Sequence, residues 1–158
     1  YADDYPNIFT GNRSVQYYQT EARRMLSMVN KFRTSGKAWY WNPDNQTKTT
    51  GITVDALQYD TALEDIAMQR AAEIGIMMSH TRPNGQKIDS LFSGSNIHWT
   101  ILGENLARHK NAPTEAIVDA WMNSESHREN LLNPGYKFCG IAEHKKGEIR
   151  YISIILTD

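Results

Sequence analysis

One cysteine, Cys139, stands in 158 residues. No disulfide can close within the chain, so its stability has to come from a packed core. That removes the plainest sign of an oxidising compartment without excluding secretion, because a chain of this length needs no covalent staples. An excess of one charge is also missing. The formal net charge is −1, whereas nucleic-acid-binding domains carry a clear basic surplus, so nucleic acid is not an expected partner. No apolar run approaches the ~18 residues that a membrane-crossing helix needs, and no membrane span is expected. There is no HExxH, no Gly-x-Ser-x-Gly elbow and no Gly-rich phosphate loop, which leaves zincin, elbow-hydrolase and nucleotide-binding readings without support.

What is present is an ordinary globular composition, 40% hydrophobic and 22% charged, which fits one domain. The first residue is Tyr1 and not Met, as expected if a leader has been removed or the sequence trimmed. Asn12-Arg13-Ser14 and Asn45-Gln46-Thr47 have the glycosylation spacing, a pattern too short to mean more than surface. Residues 1 to 13 are polar and aromatic, and residues 1–19 are expected to form an arm ahead of a domain covering 20–158.

Apolar positions then fall in steps of three and four. Tyr18, Ala22, Met25, Leu26, Val29 and Phe32 predict a first helix capped by Ser14 and stopped at Gly36. Residues 37 to 56 read as irregular. Within them Trp39-Tyr40-Trp41 either clamps the end of that helix to the body, the favoured reading, or forms an exposed aromatic patch for a partner or glycan. Leu63, Ile66, Ala67, Ala71, Ile74 and Met78 predict a second helix. Thr61 and Glu64 have capping-box spacing at its start, and its end is expected near Ser79-His80, before the turn signal Arg82-Pro83-Asn84-Gly85. Ala71, Ala72 and Gly75 are small enough to admit a close neighbour. Pro113 suits the first position of a third helix with Ala116, Ile117, Ala120 and Trp121 inward. Ser126 and Glu129 suggest a capped fourth over 126 to 132.

The C-terminus changes period. Phe138 to Glu143 and Ile149 to Leu156 read as a hairpin turning at His144-Lys145-Lys146-Gly147. In the second strand Tyr151 and Ile155 lie on one face, and Ile152, Ile154 and Leu156 on the other. A strand apolar on both faces is covered on both. The expected class is therefore α+β: an α-β-α sandwich with a small antiparallel sheet.

His109 and His144 sit in polar surroundings and read as solvated; His98 beside Trp99 is ambiguous. His80 and His127 differ, each at the edge of an apolar helical pattern among small polar residues. Glu104 follows the apolar pair Ile101-Leu102. Two imidazoles and a carboxylate are a minimal set for zinc with an open position, and equally a minimal general acid/base set. They can also be a capping or packing histidine pair and a buried carboxylate tying loop amides. Cys139, inside Phe138-Cys139-Gly140-Ile141, reads as a buried strand thiol.

Three stretches carry a resemblance. They are His80-Thr81-Arg82-Pro83-Asn84-Gly85, Gly103-Glu104-Asn105-Leu106-Ala107, and Trp121-x-x-Ser124-x-x-His127-Arg128-x-Asn130-Leu131-Leu132. In this order, with the closing strands, they resemble the bacterial, disulfide-free branch of the superfamily of cysteine-rich secretory proteins, antigen 5 and pathogenesis-related proteins, the CAP or SCP domain. The resemblance covers about residues 20 to 157 and implies the same sandwich. It implies a cleft with two histidines and two acids that sometimes holds a divalent metal such as Zn²⁺. His80, Glu104 and His127 match three of these, and His80 with His127 are the implied metal ligands. The second acid, three residues after the Trp in eukaryotic members, is here Ser124. Glu125 is adjacent, but neighbouring helical residues point about 100° apart. The cleft expected from the sequence is thus His80, Glu104, Ser124, Glu125 and His127. The family implies secretion or the cell envelope. It also implies a small-molecule, lipid, peptide or envelope ligand bound by an interaction module, with a metal-assisted hydrolase using Glu104 as base as the alternative.

Overall fold

The computed structural model describes residues 16–158, so the expected cap Ser14 and most of the arm lie outside the described residues. Helix α1 (Gln19–Thr34) buries Ala22, Met25 and Val29 as its periodicity requires. It also buries Arg33, whose guanidinium donates to the carbonyls of Asp55, Leu131, Asn133 and Tyr136 at 2.7–3.2 Å. Two of these carbonyls belong to the end of a later helix, whose last carbonyls have no partner within the helix itself.

The segment expected to be irregular is instead a hairpin, with β1 (Ala38–Trp41) antiparallel to β2 (Lys48–Ile52). Its turn is built by Asp44, whose carboxylate accepts from the amides of Gln46 and Thr47 at 2.9 Å, with Asn45 at φ 54°. The Asn-Pro-Asp-Asn run is turn chemistry joining two strands, not a loop.

A short β3 (Gln58–Tyr59) leads into helix α2 (Thr61–Ile74). The expected Thr61–Glu64 box is not formed. Asp60 is the cap, accepting from the amides of Ala62 and Leu63, and Glu64 pairs with Arg23 at 2.8 Å. The helix also ends sooner than its stripe implied. Gly75 follows Ile74, the Glu73 carbonyl accepts from both Ile76 and Met77, and Met78 is exposed.

The chain continues through β4 (Leu102–Lys110), α3 (Thr114–Asn123), α4 (Glu125–Leu132), β5 (Phe138–Lys146) and β6 (Ile149–Thr157). Pro113 stands just outside α3. The buried face of α3 is Ile117, Val118, Trp121 and Met122, with Ala116 and Ala120 exposed. In α4 the cap position is Ser124, not Ser126. The hairpin turn is tighter than expected, because β5 runs on through Lys146 and Gly147 turns at φ 57°.

The sheet order is β3-β5-β6-β4. β6 pairs antiparallel with β5 and β4, and β3 adds one parallel pairing to β5. On one face Ile141, Ile152, Ile154 and Leu156 meet α1, α3 and α4 through Met25, Val29, Ile117, Trp121 and Leu131. On the other, Ala142 and Ile155 meet Leu63, Ala67 and Ala71 of α2, and Leu106 and Tyr151 meet Ile74. This is the α-β-α sandwich, with the two faces of β6 divided as the alternation required.

His144 is not solvated. It lies buried on β5, stacked on Tyr151 at 5.9 Å, and burial lowers its pKa. Gly75 makes room for it, since a Cβ there would come within 3.2 Å of the imidazole. Cys139 is buried as expected, its thiol pushed up to about 12 by desolvation.

The tightest approach between layers is Gly140 on β5, where a Cβ would lie 2.2 Å from the backbone of Leu63 and Glu64. Backbone cannot yield as a side chain can. Gly140→Ala is expected to lower stability by about 3 kcal/mol, at the upper end of overpacking costs, read as a fall in the urea midpoint at unchanged slope.

Candidate functional site

Glu104 lies on β4, beside Ile155 of β6, and is buried on the side that α2 covers. Both of its carboxylate oxygens are engaged. Arg70 of α2 donates from Nε to Oε2 at 2.6 Å and from Nη2 to Oε1 at 3.3 Å. His80 Nδ1 stands 2.9 Å from Oε1. Arg70 also holds the Ser79 carbonyl at 2.6 Å, which fixes the backbone next to His80. Its Nη1 contacts Glu73 at 3.3 Å. Glu73 in turn takes Arg82 at 2.7 Å, and Arg82 donates to Ser90 Oγ at 2.7 Å. A row of buried charges thus runs from the protein interior to an imidazole whose side chain is 63% exposed. With an ionised carboxylate at Nδ1, the neutral ring carries its proton there and presents Nε2 as a bare acceptor.

The opposite wall comes from α3 and α4. His127 Nδ1 lies 2.8 Å from Ser124 Oγ, so Ser124 spends its hydroxyl on the imidazole and not on a helix amide. Trp121 stacks against the ring at 6.5 Å and 27°, and its own Nε1 donates to the Leu106 carbonyl at 3.1 Å. Asn105 ties this wall to the sheet by donating to the His127 carbonyl at 3.1 Å. Asn130 donates to Asn105 Oδ1 at 3.0 Å. Glu104 and Asn105, adjacent on a strand, therefore hold the two walls from opposite faces of the sheet. The pKa of His127 is lowered, first by burial and then by the charge of His80. The two imidazoles are therefore within electrostatic reach, and His127 favours its neutral form.

The structure thus joins the sequence-derived residues in two pairs, Glu104 with His80 and Ser124 with His127. Glu125 is exposed at the start of α4 and acts on Arg128 through its charge. Arg70, Glu73, Arg82, Asn105 and Asn130 were missed. Arg70 and Glu73 were readable, because Arg70 falls four residues after Ile66 and three after Ala67, on the stripe that has to be buried. Among the described residues no three His, Cys, Asp or Glu side chains are grouped to hold a metal. Glu104, the third donor a catalytic zinc would need, is already bound by a guanidinium. The residues present do not complete such a site.

The profile of the cysteine-rich secretory protein family (CAP) matches residues 26–157. The Bacillus subtilis (strain 168) protein YkwD is 32% identical over 95 residues, covering 59% of this chain and 37% of that protein; the chain spans little more than a third of that relative's length. An outer surface protein from Borrelia burgdorferi superposes with a TM-score of 0.70 at 19% identity, covering 91% of this chain and 98% of that one. An extracellular SCP-domain protein from Bacillus anthracis gives 0.65 at 18% identity, covering 88% of this chain and 40% of that one. At these identities the two structures speak to the fold.

The two ends of the Arg70–Glu104–His80 row are expected to respond differently to truncation. Arg70→Met leaves Glu104 and Glu73 buried with fewer partners and should cost about 3–5 kcal/mol in urea unfolding. His80→Ala removes an exposed ring and should stay within about 1 kcal/mol of the parent.

Proposed function

The chain belongs to the cysteine-rich secretory protein family, and on that premise we propose that it is an extracellular or envelope binding module whose ligand docks between His80 and His127. One observation carries this reading. Both oxygens of Glu104 are engaged, by Arg70 and by His80, which suits the carboxylate to orienting an imidazole. A general base needs free reach to the proton it takes. A carboxylate clasped by a guanidinium is poorly suited to that task. What the cleft offers is a pair of imidazole Nε2 atoms, held by Glu104 on one side and Ser124 on the other, with the Trp121 ring behind His127. Such a surface pairs with hydroxyls and amides, which both donate and accept and are the groups of peptide and cell-wall ligands, and its fixed rings reduce the ordering cost of binding.

The experiment is a ring-proton NMR titration of His80 and His127 with soluble muropeptides, peptides and lipids, beside a turnover assay on the same panel with and without Zn²⁺. Shifts confined to those two rings, lost in His80→Ala and unaccompanied by turnover, are the expected result. Zn²⁺-dependent hydrolysis abolished by Glu104→Gln would replace this reading with that of a hydrolase.

A further inference from the structure

The β1–β2 hairpin carries a feature that neither the cleft nor the core uses. Trp39 and Trp41, two residues apart on β1, point to one face and meet edge to face, 5.4 Å between centroids and 88° between planes. In the corner they form sits an ammonium. Lys48, directly across from Trp41 in the strand register, places Nζ 3.8 Å from the Trp39 centroid and 4.7 Å from that of Trp41. Among the described residues Lys48 has no carboxylate partner. Asp44, the acid of the adjoining turn, is spent on Gln46 and Thr47. The corner therefore holds a cation by ring faces alone.

We propose that this corner is a binding site for a trimethylammonium group, with Lys48 as its resident, displaceable occupant. Three features support the choice of ligand. Perpendicular rings make a concave corner that fits a compact, rounded cation, whereas a sugar ring stacks on one flat face. A site of ring faces with no hydrogen-bond acceptor favours a cation with no N–H to satisfy. A trimethylammonium is weakly hydrated and loses nothing there, but a primary ammonium gives up its water bonds. Trp39 is also held in place from behind. The fully buried Arg128 of α4 places its guanidinium carbon 3.8 Å from the Trp39 centroid; its Nη1 donates to the Met122 carbonyl at 2.9 Å, and its Nε and Nη2 have no hydrogen-bond partner among the described residues, so the ring shares in supporting its charge. Lys48 is exposed on a two-stranded edge and can swing away without breaking a hydrogen bond.

The test is intrinsic tryptophan fluorescence titrated with choline chloride, using the wild type, Lys48→Ala and Trp41→Leu, with far-UV circular dichroism confirming each fold. A neutral analogue of choline, with carbon in place of the quaternary nitrogen, controls for plain hydrophobic contact. Saturable quenching is expected in the wild type, roughly two- to fivefold tighter in Lys48→Ala, as removing one exposed cation–π competitor implies. It should be absent in Trp41→Leu and with the neutral analogue. Phosphatidylcholine vesicles run beside free choline show whether a lipid headgroup can present the same group. The proposal is overturned if Lys48→Ala shows no saturable response to choline, or if the neutral analogue or Trp41→Leu responds as choline and wild type do.

Discussion

The bond between Arg70 and Glu104 is the contact on which the placement of His80 depends. It joins α2 to β4 through residues thirty-four positions apart, inside a layer otherwise closed by Leu63, Ala67, Ala71 and Ile155. Both side chains are fully or almost fully buried, where an isolated charge costs several kcal/mol and a pair is tolerable only when its hydrogen bonds are complete. Here they are nearly so. Arg70 divides its donors among Glu104, Glu73 and the Ser79 carbonyl, and Glu104 divides its oxygens between Arg70 and His80. Hydrocarbon of similar volume in place of the pair would keep the layer closed but leave nothing to fix His80 at the surface. The pair is better understood as positioning than as a source of stability.

The two imidazoles are held by different physics. His80 is exposed and anchored by charge, through an ionised carboxylate at Nδ1. His127 is half-buried and anchored by packing, between the Trp121 ring and the Ser124 hydroxyl, and its burial favours the neutral ring. At its Nδ1 stands the Ser124 hydroxyl, and among the described residues no carboxylate is paired with the ring. The result is an asymmetric pair: one imidazole whose tautomer is set by a carboxylate, and one kept neutral by its surroundings.

Much of this was legible in the sequence, and the part that was not has definable causes. The division of β6 into Tyr151 and Ile155 against Ile152, Ile154 and Leu156 was enough to place helices on both faces, because period-two alternation maps directly onto layers. His80, Glu104 and His127 stood out by their surroundings, and the family resemblance grouped them with Ser124; the structure sets Glu104 beside His80 and Ser124 beside His127. Helix ends were less readable. The stripe of α2 continues to Met78, yet the helix stops at Ile74, since Arg70 draws the Ser79 carbonyl inward and the chain has to turn. β4 went unseen because Gly103-Glu104-Asn105 does not look like strand sequence: its polar residues face buried partners that only the tertiary fold supplies. His144 was misjudged for the same reason, flanked by lysines in sequence but covered by α2 where Gly75 leaves space.

The central claim is that Glu104 acts on His80 as an orienting carboxylate. The most direct measurement is long-range proton–nitrogen correlation NMR of the His80 imidazole at a pH where the ring is neutral. A ring protonated at Nδ1, with Nε2 in the shift range of an unprotonated nitrogen, and reverting toward the tautomer mixture of a free imidazole in Glu104→Gln, is the predicted result. A His80 ring protonated at Nε2, or one whose tautomer is indifferent to Glu104→Gln, would contradict it.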